Sequence, residues 1–436
     1  MIIYDHVIER NHRIIRSSVG YTIPDQFTKV IQMVSGLTEL PYVKEPHSRR
    51  VGETNDGEVD PGIVIPQTIQ NVYGIPSPFA SSNNKSSIAL IEFYHGSGDM
   101  SYSNKDLLVP LYDIQYGGAL AQGSEIWYWT SNHWLYEFSN DLFNMDPAPL
   151  VVSLPWGFPE IDQCDIEMCN GSTPMQYVQR VNTEFMKIGL RGISLIAASG
   201  DNGAPGEYND NCLNDASPMS SYYPGSSPYI TTVGSTMLVQ SGTDNIINSQ
   251  QGNDQPPICS KHQCATSTLE YVQSYPNAST TSGGGFSDYS PMPSYQKTAV
   301  EGYLTWGIPL PPSWSFNSSN RGYPDVSAVG HSYVTFVGGE MYLVDGSMCA
   351  APSFAGMVAL LNSHRLNNNQ SPLGFLNPIL YAAPSNCFND ITIGNNMCTE
   401  VCCTKYGYTA TSGWDPASGL GTPNFKNLLA YISSLP

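Results

Sequence analysis

The sequence predicts an α/β protein built on a doubly wound, mostly parallel sheet with flanking helices, and two observations carry that prediction. Short apolar runs bounded by Gly, Pro and Ser recur at residues 88–93, 150–153, 193–198, 229–233, 334–337 and 341–344, the pattern of strands buried on both faces. Between the second and third run, "STPMQYVQRVNTEFMKI" offers Ser172 or Thr173 as a cap and Pro174 at the first helical position, with Val178, Val181, Phe185 and Ile188 on one face. A strand, a helix and a strand in that order imply a right-handed crossover, and repetition of the unit builds a doubly wound sheet.

Taken from the N-terminus, residues 1–45 hold one helix-period run, "PDQFTKVIQMVSG" (24–36), with Phe27, Val30, Ile31 and Val34 at helical spacing. Residues 46–62 differ. The stretch "EPHSRRVGETNDGEVDPG" (45–62) has almost no apolar residues and many turn formers, so it reads as an exposed linker with Arg49 and Arg50 as a cleavage point. Residues 63–436 carry the alternating runs and are numerous enough to bury one large core. The polar tract "NNNQ" (367–370) reads as a loop.

Eighteen Lys plus Arg against thirty-seven Asp plus Glu leave a net charge of −19, which excludes nucleic acid and anionic membranes as natural partners. No segment approaches eighteen uninterrupted apolar residues, so no membrane span is expected. Ten cysteines include Cys164 and Cys169, Cys259 and Cys264, and the cluster Cys398, Cys402 and Cys403; the spacings do not suit zinc, and disulfides are expected. Sequons at Asn84, Asn170, Asn277 and Asn317 predict glycosylation and a secreted or lysosomal/endosomal protein, while Pro372 disfavours a fifth sequon at Asn369. The opening "MIIYDHVIERNHRIIR" has no apolar signal core, so a signal peptide is expected upstream of it. The eight histidines form no H-x-x-x-H pair, which argues against zinc hydrolysis.

In doubly wound sheets, ligands sit past the carboxyl ends of the strands. Three stretches occupy such places: "SLPWG" (153–157), "SGDNGA" (199–204) and "GSMCAAP" (346–352). Together with "GWDPASGLGTPNF" (413–425), in this order and spacing, they resemble the sedolisins, serine-carboxyl peptidases of the tripeptidyl-peptidase I type. "YTIP" (21–24) and "VSG" (34–36) resemble the end of that family's pro-segment, so the resemblance runs along essentially the whole chain. It implies the C-terminal part of a pro-segment at 1–45, a linker at 46–62 and a subtilisin-like peptidase domain with a calcium loop at 63–436.

The resemblance also implies a mechanism. A glutamate one helical turn before an aspartate acts as base towards the serine of G-T-S-x-S-x-P, and a second aspartate, in S-G-D, lends a proton to the oxyanion. Positions i and i+4 put the paired carboxyls on one helix face, where they share a proton. A protonated carboxyl as oxyanion donor requires acid or a raised pKa. Asp201 matches the oxyanion aspartate, and Asp113 in "YDIQY" matches the second member of the pair. Both acids remain.

The other two roles do not. Four residues before Asp113 stands Val109, followed by Pro110, and Asp106 lies roughly 10 Å along the axis of a helix. Aligning Gly346 and Pro352 with the motif puts Met348 on the serine, and a thioether has no proton to lose and is a poor acyl acceptor. Two neighbours could substitute. Ser347 is displaced by one residue, about 100° around a helix and about 3.8 Å in Cα position. Cys349 is chemically stronger but is offset the other way and lacks a base.

The resemblance assigns peptide binding to Ser153, Trp156 and Gly157, although Pro155 removes one backbone donor, and to Gly283 and Gly284 in "SGGGFS" as a cleft wall. It assigns one structural Ca²⁺ to Asp390, Ile391, Thr411, Gly413 and Asp415, an oxygen-only set suited to a hard cation. The expected protein is therefore a sedolisin homologue without catalysis, whose partners are peptides or proteins bound in the cleft or active relatives that it regulates. The alternative is an active acid peptidase, endo- or tripeptidyl-, using Ser347 or Cys349.

Overall fold

A computed structural model describes residues 48–50, 64–79, 85–93, 113–131, 133–167, 169, 171–207, 212, 217–240, 259–260, 263–264, 268–337 and 340–436. The expected helix at 24–36, Val109, Asn84 and Asn170 lie outside these residues. The first strand, β1 (Ser48–Arg50), falls within the stretch read as linker. Helix α1 (Pro66–Tyr73) follows, and then β2 (Ser87–Phe93), β3 (Glu125–Ser131), α2 (Leu135–Asn144), β4 (Val151–Leu154), α3 (Pro174–Leu190), β5 (Ser194–Ala198) and β6 (Thr231–Gln240).

With β7 (Thr268–Val272), these strands form a sheet in the order β7-β6-β5-β4-β2-β3. All the contacts from β3 to β6 are parallel, and β7 adds antiparallel to β6. Helix α3 starts where its cap directs. The Thr173 hydroxyl accepts the Gln176 amide at 3.3 Å, while the Gln176 side chain accepts the Thr173 amide at 2.9 Å, so two end donors are satisfied reciprocally. Val178, Val181, Phe185 and Ile188 are fully buried beneath it.

An antiparallel ribbon of β8 (Gly285–Pro291) and β9 (Asn320–Tyr323) precedes β10 (Val326–Val329), which joins the main sheet parallel to β6. The runs at 334–337 and 341–344 depart from expectation. They form an antiparallel hairpin, β11 (Tyr333–Val337) and β12 (Glu340–Val344), outside the main sheet. Two connecting residues are far too few for the crossover that a parallel pair needs.

Directly after β12 comes α4 (Ser347–Asn367), and α5 (Phe425–Ser434) closes the chain. Helix α4 is buried over nearly its whole length and packs against β4, β5, β6 and β10. A helix apolar on all sides belongs in the centre of a domain, and this one brings its N-terminus to the carboxyl ends of the strands.

Disulfides join Cys164 to Cys169, Cys398 to Cys403 and Cys212 to Cys402. The last closes 190 residues of sequence and restricts the unfolded chain most. Cys259 lies opposite Cys264 in a short antiparallel ladder, and Cys349 and Cys387 are free and buried. Among the described residues no helix is long and apolar enough to cross a membrane.

Candidate functional site

The site forms where β5 and β12 end. Past Ala198 the chain turns through Ser199 and Gly200 to Asp201, and past Val344 through Asp345 and Gly346 into α4. Asp201 is buried, and its Oδ1 accepts the Ser347 amide at 2.6 Å and the Ser347 hydroxyl at 3.0 Å. The same hydroxyl also meets the Gly200 carbonyl and amide, each at 3.0 Å. Asp201 thus satisfies an orphan donor at the start of α4 and places a carboxyl at the positive end of the helix.

Gly346 is required here. Its φ is +147°, and a Cβ on it would sit 2.7 Å from Asp201 Oδ2 and 3.0 Å from Met348 Cγ. Asp201 and the partly buried Met348 therefore converge over Gly346. On the next residue, the Cys349 thiol is fully buried, and burial followed by Asp201, Asp345 and Asp113 pushes it well above its ordinary value. A thiol held in that form is a poor nucleophile.

Asp113 opens a single π-helical turn, Asp113–Gly117. Tyr116 fastens this turn by directing its hydroxyl to the carbonyls of Val64 and Val334 at 2.6 and 2.8 Å. The carboxyl of Asp113 is buried, and its Oδ1 has no hydrogen-bond partner. Burial first, and Glu92 second, push it well above the usual carboxylate range. Glu92, on β2, is buried as well, and burial pushes it up to about 8 against a smaller opposing effect of the Trp156 indole. Neither Glu92 Oε2 nor Trp156 Nε1 reaches a hydrogen-bond partner. The second carboxyl beside Asp113 thus comes from β2.

Glu92 was not among the residues singled out from sequence, although a lone acid inside "SIALIEF" was the available signal, because charged residues are rarely buried in apolar strands without a role. Asp345 escaped notice as well. Burial alone would raise its carboxyl, but His331 at 2.8 Å, the Ser332 amide at 2.7 Å and the Ser279 hydroxyl at 2.7 Å hold it well below the usual range.

A small recess of about 10 Å³, room for about one water, lies beside Asp201 between Pro159, Asn202, Glu207, Ser221 and Tyr222. The residues assigned to peptide binding border the region at different depths. Ser153 is fully buried on β4, Trp156 is turned towards Glu92, and Gly157 packs so closely on Tyr222 and Tyr223 that a Cβ would meet both at 2.5 Å. The Gly283 amide donates to the Gly200 carbonyl at 2.8 Å, and a Cβ there would lie 2.1 Å from the Ser199 carbonyl. Gly284 is equally tight against Pro416. Gly283 braces the loop bearing Asp201, while Gly284 packs between Pro416 and the Tyr323–Pro324 segment.

The C-terminal residues assigned to the ion meet around one loop. Asp390 Oδ2 accepts the Gly413 amide at 2.9 Å and the Ser412 hydroxyl at 3.2 Å, while Asp415 Oδ2 accepts the Thr411 amide at 3.0 Å. Asp415 is fully buried, and burial pushes its carboxyl up to about 7 despite amides from Thr411, Ala417 and Ser418. Ile391 is buried beside it. Of the sequons, Asn317 is exposed and Asn277 half-buried.

No protein-family model matches the chain. It is 43% identical over 465 aligned positions to physarolisin of Physarum polycephalum, covering 100% of this chain and 79% of that protein. It is 30% identical over 450 positions to tripeptidyl-peptidase 1 of Rattus norvegicus, covering 96% and 73% respectively. The chain belongs to the sedolisin family. A solved Pseudomonas sedolisin, a serine-carboxyl proteinase complexed with pseudo-iodotyrostatin, shares the fold at a TM-score of 0.62 and 20% identity, covering 86% of this chain and 99% of that one. Within this sedolisin frame, the structure brings Asp113, Asp201 and Met348 to the same end of the sheet around the start of α4.

Proposed function

We propose that this sedolisin homologue binds peptides in its cleft without hydrolysing them. The observation that carries the reading is Met348 in the first turn of α4 beside Asp201, with both neighbours engaged elsewhere. The Ser347 hydroxyl is bound to Gly200 and Asp201, and the Cys349 thiol is buried among three carboxyls. The one acid that the Ser347 hydroxyl meets, Asp201, is held by the Ser347 amide through the same oxygen, and the Cys349 thiol is raised by the carboxyls around it. Asp201 keeps its place because it holds the start of α4. The purified protein is expected to leave a denatured protein substrate intact at acid pH. Turnover that disappears in a Ser347→Ala, Cys349→Ala double variant would overturn the reading.

The disulfides support passage through an oxidising compartment, which fits a secreted or lysosomal/endosomal protein. For Ca²⁺ the residues fit. Asp415 is a buried carboxyl with no basic partner among the described residues, and its donor set with Asp390 and the carbonyls of Ile391, Thr411 and Gly413 is all oxygen. The ion would neutralise these carboxylates and tie the C-terminal loop to the domain. Chelation is expected to lower the melting temperature by the equivalent of about 2–3 kcal/mol if calcium was present at about a hundredfold over Kd. Asp415→Asn should remove the response to calcium; a chelator-insensitive parent would count against the site.

A further inference from the structure

Strand β12 leads directly into Asp345, Gly346, Ser347 and Met348, and one of its edges is fully paired with β11. Its other edge carries β1, in antiparallel register with Ser48 opposite Val344, Arg49 opposite Leu343 and Arg50 opposite Tyr342. Among the described residues β1 is the outermost strand of this small sheet. An edge strand offers a row of amides and carbonyls to any extended chain, and three residues form a short, easily exchanged ladder. Because the pairing is antiparallel, a chain laid on this edge points its N-terminal end towards the Asp345–Met348 turn.

We propose that the edge of β12 opposite β11 is a strand-addition site for an extended peptide, recognised through its backbone, and that the chain's own Ser48–Arg50 occupies it until the Arg49–Arg50 pair is cut. The inference rests on the peptide-binding reading only for what replaces β1. Proteases take substrates in extended form, so a paired strand must first open, and the cut then reports the open population. This makes the dibasic pair a guarded site.

Limited trypsinolysis of the full chain, followed by mass spectrometry, tests the guard. Cleavage after Arg49 or Arg50 is expected to be about tenfold slower than in the free peptide EPHSRRVG, and equal rates would overturn the proposal. Strand exchange is tested with excess peptide PHSRRVG whose two arginines are replaced by glutamine, so that trypsin leaves it intact. It should accelerate cleavage of the chain. In an antiparallel ladder alternate amides face the partner. N-methylation of the competitor at the position of Arg49, or at those of Ser48 and Arg50 together, should therefore abolish the acceleration in one case and preserve it in the other. No acceleration, or equal loss in both cases, would remove strand addition. Turnover assays answer the separate question of catalysis, so guarded cleavage together with hydrolysis would retain this proposal and discard the inactive reading.

Discussion

Acidification from pH 7 to pH 5 is expected to stabilise the protein by about 4–5 kcal/mol, raising its melting temperature by roughly 5 °C. The cause is a set of carboxyls buried where ionisation is costly. Glu160 is fully buried, its Oε1 accepting the hydroxyls of Ser226 and Ser287 at 2.6 and 2.7 Å and its Oε2 the amides of Asp288 and Tyr289 at 2.7 and 3.1 Å. Burial, and then Asp288, push it up to about 7, and burial pushes Glu92 up to about 8.

For each group the folded state holds a proton that the unfolded chain releases above about pH 4.5. Stability is therefore fully present below that value and declines as pH rises, to about 7 for Glu160 and about 8 for Glu92. The limiting slope is about 1.4 kcal/mol per pH unit per group. Asp345 has the opposite sign. Its depressed carboxyl favours folding above about pH 4 and loses that contribution only in stronger acid. Glu160→Gln keeps the shape and supplies both an acceptor for the amides and a donor for the hydroxyls, so it should flatten the profile of melting temperature against pH by one group. An unchanged profile in that variant would show that Glu160 does not carry the effect.

On the proposed reading, a serine at position 348 should by itself achieve almost nothing. Met348→Ser alone is expected to leave hydrolysis at the parental level, because a serine hydroxyl without a base is a weak nucleophile. Met348→Ser combined with Val109→Glu returns a nucleophile and a base to a site that retains Asp113 and Asp201. Groups that act as a unit are lost and regained together, so the pair should exceed either single variant by about 10³-fold in acid turnover. Equal activity in the single and double variants would show that Val109 does not mark the position of a base.

Much of this architecture is legible in the sequence because it rests on local rules. The run 88–93 is apolar on both faces and becomes an interior strand, and the Thr173–Gln176 capping box fixes the start of α3. The hairpin β11–β12 was misread because a short apolar run looks alike in either sheet type, and only the two-residue connection distinguishes them. Strand β3, "EIWYWTS", was equally legible, because Ile126 to Trp129 form an unbroken apolar and aromatic run as long as that at 341–344. Motif letters point to Asp201, Asp113 and Met348, which the structure sets at one end of the sheet, whereas the burial of Glu92 and the partners of Glu160 and His331 depend on residues far away in sequence. No local pattern records that Glu160 meets Ser226 and Ser287, or that burial keeps its proton in place.

The clasp between Asp201 and Ser347 changes how a surviving active-site residue is to be weighed. Its two bonds join the end of a central strand to the beginning of the central helix, so removal of the acid would loosen the scaffold whether or not any reaction took place there. A folding requirement alone suffices to keep Asp201, with or without turnover. In this chain the persistence of such an acid counts as architecture, and evidence for chemistry has to come from residues that carry no such structural duty.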